Sequence, residues 1–185
     1  MNIKLRNNTF KQLLWIGMAG ISMFFAGLTS AVIVRSAERG WDTFVLPEYF
    51  WCSTVVIIFS SILLVLSKRK VKRGVSPTPY IFSTLILGLF FAYFQFKGWG
   101  QLILEGRYFV GPGSNPASSF LYVLTFAHLI HVLGGIISLI VVTIKSSQKK
   151  YTKEDHLGIE LISIYWHFLD VLWVYLFIFL LFSLK

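Results

Sequence analysis

The 185-residue chain has a single cysteine, Cys52, which excludes a disulfide framework and a thiolate metal cluster. Charge is scarce as well: 14% of residues are charged, where a soluble domain carries about 25%. That deficit leaves too little polar surface to wrap a core of this size in water. Acidic residues are the rarest charged class, eight against 17 Lys and Arg. No glycine-rich phosphate loop, nucleophile–base pair or metal-spaced Cys set is present. Low-complexity tracts, internal repeats and the strict alternation of barrel strands are also missing. What the chain has instead is apolar bulk, 56% of residues, with 18 Phe, 8 Tyr and 6 Trp, which excludes disorder.

The apolar residues fall in blocks of about twenty, the length that crosses a hydrocarbon core of about 30 Å as helix. Five spans follow, at about 13–34, 49–66, 80–100, 118–144 and 158–184. In lipid each must be helical, because only a helix satisfies its own backbone polar groups. The expected fold is an all-α bundle of five transmembrane helices in one membrane domain, residues 1–185. The first span is too long for the apolar part of a signal peptide and lacks a small-residue cleavage site, so it is read as a helix of the mature protein. The stretches Ala37–Glu48 and Glu105–Ala117 are too short to fold alone.

A net charge of +9 raises the question of nucleic acid. The basic residues lie between apolar blocks with no soluble domain to present a groove, so they read as topology signals. With five spans, twelve sit on one side: Lys4, Arg6, Lys11, the five from Lys68 to Arg73, and Lys145, Lys149, Lys150 and Lys153. The other side holds five: Arg35, Arg39, Lys97, Arg107 and Lys185. The richer side belongs in the cytoplasm, which puts the N-terminus inside and the C-terminus outside.

Polar residues inside a span are costly and need a reason. At about 100° per residue, His156, Glu160, Ser163, His167 and Asp170 share an arc of roughly 80° on the fifth helix. His167 and Asp170, three apart, are neighbours on the helix surface, so the carboxylate is expected to accept from the imidazole. This face reads as a hydrogen-bonded seam against the bundle or a partner subunit, or alternatively as a proton relay or ligand site. On the fourth helix His128, His131, Gly135 and Ser138 share a face. Either histidine with His167 offers a conceivable axial pair for a haem, although nothing else marks a haem pocket. On the first helix Gly17, Gly20, Phe24, Gly27 and Ala31 form a small-residue seam suited to close helix approach. Trp41, Trp51 and Trp99 read as interfacial anchors, and Cys52 as inert.

In order, the fifth helix gives His156-Leu157-Gly158-Ile159-Glu160, then Tyr165-Trp166-His167-Phe168-Leu169-Asp170-Val171-Leu172-Trp173. This closely resembles the last helix of haem–copper oxidase subunit III, with its YWHFVDxVW signature. His128-Leu129-Ile130-His131-Val132-Leu133-Gly134-Gly135 resembles that family's HxxHVxxG pattern. Met23-Phe24-Phe25-Ala26-Gly27-Leu28 on the first helix, and Gly88, Phe94-Gln95 and Trp99 on the third, follow the family's order. The resemblance covers nearly the whole chain and looks like the short bacterial five-helix form.

It implies a non-catalytic subunit of a proton-pumping terminal oxidase in the bacterial inner membrane, without haem or copper of its own. It also implies packing beside subunit I, with subunit II and a small subunit IV in the assembly. Phospholipid between the helices is implied too, with Arg35, Arg69 and Arg73 as headgroup candidates. The residue counts agree: six histidines serve two haems and a copper in the catalytic subunit, and this chain has four. A dinuclear copper site needs two cysteines. One departure stands out. The glutamate usually found two residues before Met-Phe-Phe is here Ile21. The alternatives are a quinol oxidase or nitric oxide reductase component, a stand-alone b-type cytochrome, and, less supported, a transporter.

Overall fold

A computed structural model describes residues 3–112, 114–152 and 155–185, with side chains from Leu5 onward. Five helices account for nearly all of it: α1 (Ile3–Ser36), α2 (Glu48–Lys72), α3 (Thr78–Leu104), α4 (Pro116–Ser147) and α5 (Leu157–Ser183). All five are long and apolar enough to cross a membrane. Each helix is found where an apolar block predicts one, but most run further. The basic run from Lys68 to Lys72 is the last turn and a half of α2, not a loop. Lys and Arg are good helix formers, and cations at a helix C-terminus meet the negative end of its dipole. α1 likewise extends back through Arg6 and Lys11. At 34 residues it is about 51 Å long, more than the hydrocarbon core requires.

The helix ends follow local chemistry. At the start of α4 the Asn115 side chain accepts from the Ala117 N–H, Ser118 answers to the Asn115 N–H, and Pro116 fills the first position. After α2 and α3, Gly74 (φ 73°) and Gly106 (φ 75°) take the left-handed conformation that closes the last turn. Lys149 (φ 53°) does the same after α4 without being glycine.

α2, α3, α4 and α5 pack in a ring, each on the next, and α5 closes back on α2. α1 lies outside the ring and, among the described residues, packs only on the helices α5 and α4. Inside the ring, Trp166, Trp173, Phe91, Ile57, Leu124 and Leu139 are fully buried. Trp166 fits because Gly88 and Gly135 leave room. A Cβ on Gly88 would lie 2.7 Å from its Cη2, and one on Gly135 3.0 Å from its Cζ3.

Two expectations are corrected here. The seam of Gly17, Gly20, Phe24, Gly27 and Ala31 faces away from the bundle, and a Cβ on any of its three glycines would meet nothing within 4 Å. α1 packs instead through Met18, Phe25, Thr29 and Val32, with Ile21 half-buried beside them. The reason is that bulky apolar side chains fill the α4/α5 groove better than glycines do. Two of the three tryptophans read as anchors also serve as internal ties. Trp41 Nε1 donates to the Ser183 carbonyl (3.0 Å), and Trp99 Nε1 to Thr125 Oγ1 (3.0 Å). Only Trp51 is half exposed, set edge-on to Phe177.

Candidate functional site

The interior polar side chains organise around the junction of α2 and α5. α2 carries hydroxyls in pairs seven residues apart, Ser53-Thr54 and Ser60-Ser61; α5 carries Trp166-His167 and, seven on from Trp166, Trp173. The matched spacing keeps both sets at one antiparallel seam. Trp166 Nε1 donates to Ser60 Oγ at 2.8 Å, and Trp173 Nε1 to Thr54 Oγ1 at 2.9 Å. Ser61 Oγ and His167 Nδ1 share a bond of 2.5 Å. From α3, Gln95 Nε2 donates to Ser53 Oγ at 3.1 Å. Each serine or threonine also donates to a carbonyl one turn back where its partner is a donor, as Ser60 does to Ile57 (2.7 Å) and Thr54 to Phe50 (2.8 Å). The hydroxyl therefore accepts and donates at once, while on the Gln95 side the amide Oε1 finds no partner among the described residues. The α2 hydroxyls are the functional residues that sequence reasoning passed over. Their signal was two hydroxyl pairs, a heptad apart, inside an apolar block.

The expected His167–Asp170 bond is not made. Their closest N···O approach is 3.8 Å, beyond hydrogen-bonding range. His167 turns to Ser61 on the neighbouring helix because the short hydroxyl contact spans the seam, while a carboxylate three residues on lies too far along its own helix. Asp170 is 5% exposed, and neither carboxylate oxygen finds a partner among the described residues.

The other members of that arc separate. His156 lies before the first turn of α5, with Nε2 3.4 Å from Glu160. Glu160 pairs with Lys11 of α1 at 2.5 Å, and Arg6 reaches Asp155 at 3.2 Å. Glu160 thus secures α1 near its charged end, and no hydrogen bond among the described residues joins it to the His167 cluster. Lys153, counted with the basic side, lies outside the described residues, as does the Lys4 side chain.

The two histidines of α4 diverge. His128 is fully buried, its ring 5.2 Å from that of Trp173 and 5.9 Å from that of Phe91. His131 is half-buried between α4 and α1, bonded through Nδ1 to the Ala127 carbonyl (2.7 Å) and 5.6 Å from the Phe25 ring. With His167 directed at α2, the three imidazoles do not converge on one centre. No group of three or more His, Cys, Asp or Glu lies within reach of a common metal ion among the described residues. Arg35 is held by Glu38 at 2.9 Å, whereas Arg69 and Arg73 are exposed at the end of α2.

The fold and its polar interior define a five-helix integral membrane protein whose buried polar side chains join helix to helix. Residues 50–183 match the model of one family, cytochrome c oxidase subunit III. The probable cytochrome c oxidase subunit 3 of Nocardia farcinica is 29% identical over 166 residues, covering 84% of this chain and 78% of the relative. That of Mycobacterium leprae is 31% identical over 161 residues, with the same coverage. The cytochrome bo(3) ubiquinol oxidase subunit 3 of Pseudomonas aeruginosa is 28% identical over 171 residues, covering 88% and 79%. The chain belongs to the cytochrome c oxidase subunit III family, the subunit III of haem–copper oxidases.

Proposed function

We propose that this chain is the non-catalytic third subunit of a proton-pumping aerobic oxidase of the bacterial inner membrane, seated beside the catalytic subunit I, with subunit II and a small fourth subunit in the assembly. Its N-terminus is cytoplasmic and its C-terminus outside, from the twelve-to-five asymmetry of basic residues. Phospholipid fills the spaces its helices leave and belongs to its structure. Haem and copper reside in the partner subunits, and the chain supports sustained proton pumping by keeping its neighbour's surface intact. The observation that carries this reading is the use made of the signature on α5. Trp166, His167 and Trp173 all point into hydrogen bonds with α2, so the most distinctive residues of the sequence build a scaffold.

Ile21 supports the same view. It stands half-buried where an acid would be needed to extend a relay across the membrane. The electron donor is cytochrome c, as the actinobacterial relatives' names suggest; the name of the Pseudomonas relative supports a quinol as the second reading. The test is to purify the tagged chain from its native membrane and identify what accompanies it. A haem-bearing subunit I in equal amount supports the proposal, and a copper-binding subunit II selects cytochrome c. A Soret band held by the isolated chain and lost in His131→Ala or His167→Ala would overturn it in favour of a b-type cytochrome.

A further inference from the structure

Asp170 stands at the middle of α5, 13 residues from Leu157 and 13 from Ser183. About 20 Å of helix separates it from either end, more than the roughly 15 Å from the centre of the hydrocarbon to its surface. Headgroups and bulk water lie out of reach at that depth. The residue is 5% exposed, and neither carboxylate oxygen has a hydrogen-bond partner among the described residues. Ser61 and His167 are bonded to each other, and His167 stops 3.8 Å short of the carboxylate. A carboxyl group inside the membrane is costly unless it is paired, so this one calls for a donor.

Asp170 lines a hollow of about 330 Å³ between α2 and α5, together with Ile58, Ser61, Ile62, Val171 and Val174. Ile58, Ile62 and Val171 are exposed, so the hollow opens on the outer face of the bundle. Its volume is at the small end of the range of about 300–1,000 Å³ that ligand pockets occupy, and it suits an inserted side chain better than a cofactor. The next groove round the bundle shows how such a site is used. α1 fills the α4/α5 groove, and Tyr175 of α5 ties that helix down by donating to Thr29 at 3.1 Å. The α2/α5 groove has no such cover, since α1 does not pack on α2 among the described residues.

We infer that the α2/α5 groove seats a transmembrane helix of a different polypeptide, which places a side-chain N–H or O–H from its mid-membrane turn on the Asp170 carboxylate. This rests on the reading of the chain as a subunit of a membrane complex and gives its attachment a particular face. Other occupants fit worse. A phospholipid offers only hydrocarbon at this depth. A second copy of this chain, related by a two-fold axis at the groove, would set carboxylate against carboxylate.

The test begins with photo-cross-linking in the native membrane, with benzoylphenylalanine in place of Val171. The product should be a transmembrane peptide of another polypeptide that carries a donor side chain within one turn of the contact. Retention of this chain is then measured in the complex purified through that partner. Asp170→Leu should lower retention about 5- to 30-fold, the range for one hydrogen bond between helices in a bilayer. Replacing the partner's donor by alanine should cost as much, and the two changes together no more than either alone. Asp170→Asn keeps an acceptor and should be retained. The isolated Asp170→Leu chain should melt at or above the unaltered one, because it loses a buried carboxyl that the chain itself leaves unpaired. A lower melting temperature places the partner of Asp170 within this chain and overturns the inference. Cross-links to lipid alone, to a second copy of the chain, or to a helix without a donor at the contact overturn it as well, as does full retention of Asp170→Leu. The cross-link reads the groove whichever protein is captured. A partner outside the oxidase would therefore sink the proposed function and leave the inference standing, and oxidase subunits that accompany a chain with a lipid-covered groove would do the reverse.

Discussion

Gly88→Ala adds one methyl group and tests how the ring of helices is packed. The new Cβ would lie 2.7 Å from Trp166 Cη2 and 3.1 Å from Cζ2, distances that force something to move. Trp166 is fully buried and cannot easily yield. Its Nε1 is tied to Ser60 at 2.8 Å, and its opposite edge already rests where a Gly135 Cβ would be 3.0 Å away. Overpacking of this kind costs about 1–3 kcal/mol. If the indole tilts to escape, the Ser60 bond goes as well, a further loss of about 0.5–1.5 kcal/mol. Gly135→Ala should cost a similar amount from the other side. Gly134→Ala, one residue away, is the control. Its Cβ meets nothing closer than 3.9 Å, so the gain in helix propensity, up to about 1 kcal/mol, should leave it neutral or stabilised. Thermal unfolding of the three variants in one detergent, followed by intrinsic tryptophan fluorescence, measures this. The reasoning fails if Gly88→Ala melts with or above the unaltered chain, or if Gly134→Ala is lowered as far as Gly135→Ala.

Four further outcomes are expected. Ser61→Ala should weaken the α2–α5 seam by about 0.5–1.5 kcal/mol, and His167→Leu, which also removes a polar neighbour of Asp170, by about 1–3 kcal/mol; chemical unfolding of both variants should show that order. Asp170→Asn should leave turnover and protons pumped per electron nearly unchanged in the whole complex, and abolished pumping with the subunit still bound would revive the relay reading. A reporter fused to the C-terminus that is active only in the cytoplasm should stay silent, and activity there would reverse the orientation. Burial, and then the Asp155 charge beside it, pushes the Tyr151 phenol above its ordinary value of about 10. The folded chain thus holds that proton more tightly than the unfolded one, and the stability it contributes is complete below about pH 10 and lost as pH rises through the folded pKa. An alkaline absorbance titration compared with Tyr151→Phe should show one late-ionising tyrosine missing.

The five helices were legible because lipid leaves apolar residues one permissible structure, and twenty of them in a row announce it. Their ends were less so. Lys68 to Lys72 break the apolar pattern without breaking the helix, since hydropathy ends at the membrane surface and backbone hydrogen bonding does not. Side-chain partners were the least legible. His167 and Asp170 are neighbours by spacing alone, but the hydroxyl that takes the imidazole lies on α2, more than a hundred residues away in sequence. The same holds for glycine. The stripe on α1 and the pair Gly88 and Gly135 look alike as text, and only the position of Trp166 shows that the pair is the one where backbone and ring must meet closely.

The seating of α1 outside the ring has a consequence for how the chain is made. α1 leaves the ribosome before the other four helices, yet the helices it packs on among the described residues, α4 and α5, are the last two of the five. About 120 residues separate the end of α1 from the start of α5, roughly 6–24 s of synthesis at about 5–20 residues per second. Through most of that interval α1 waits in the bilayer without its eventual neighbours, while α2 and α3 are made; α4 reaches it next and α5 last. Lys11 has no Glu160 to meet until the fifth helix begins to emerge. The ion pair at the base of α1 therefore closes only after the four preceding helices have been made, and its closure marks the moment at which α1 is secured to the bundle.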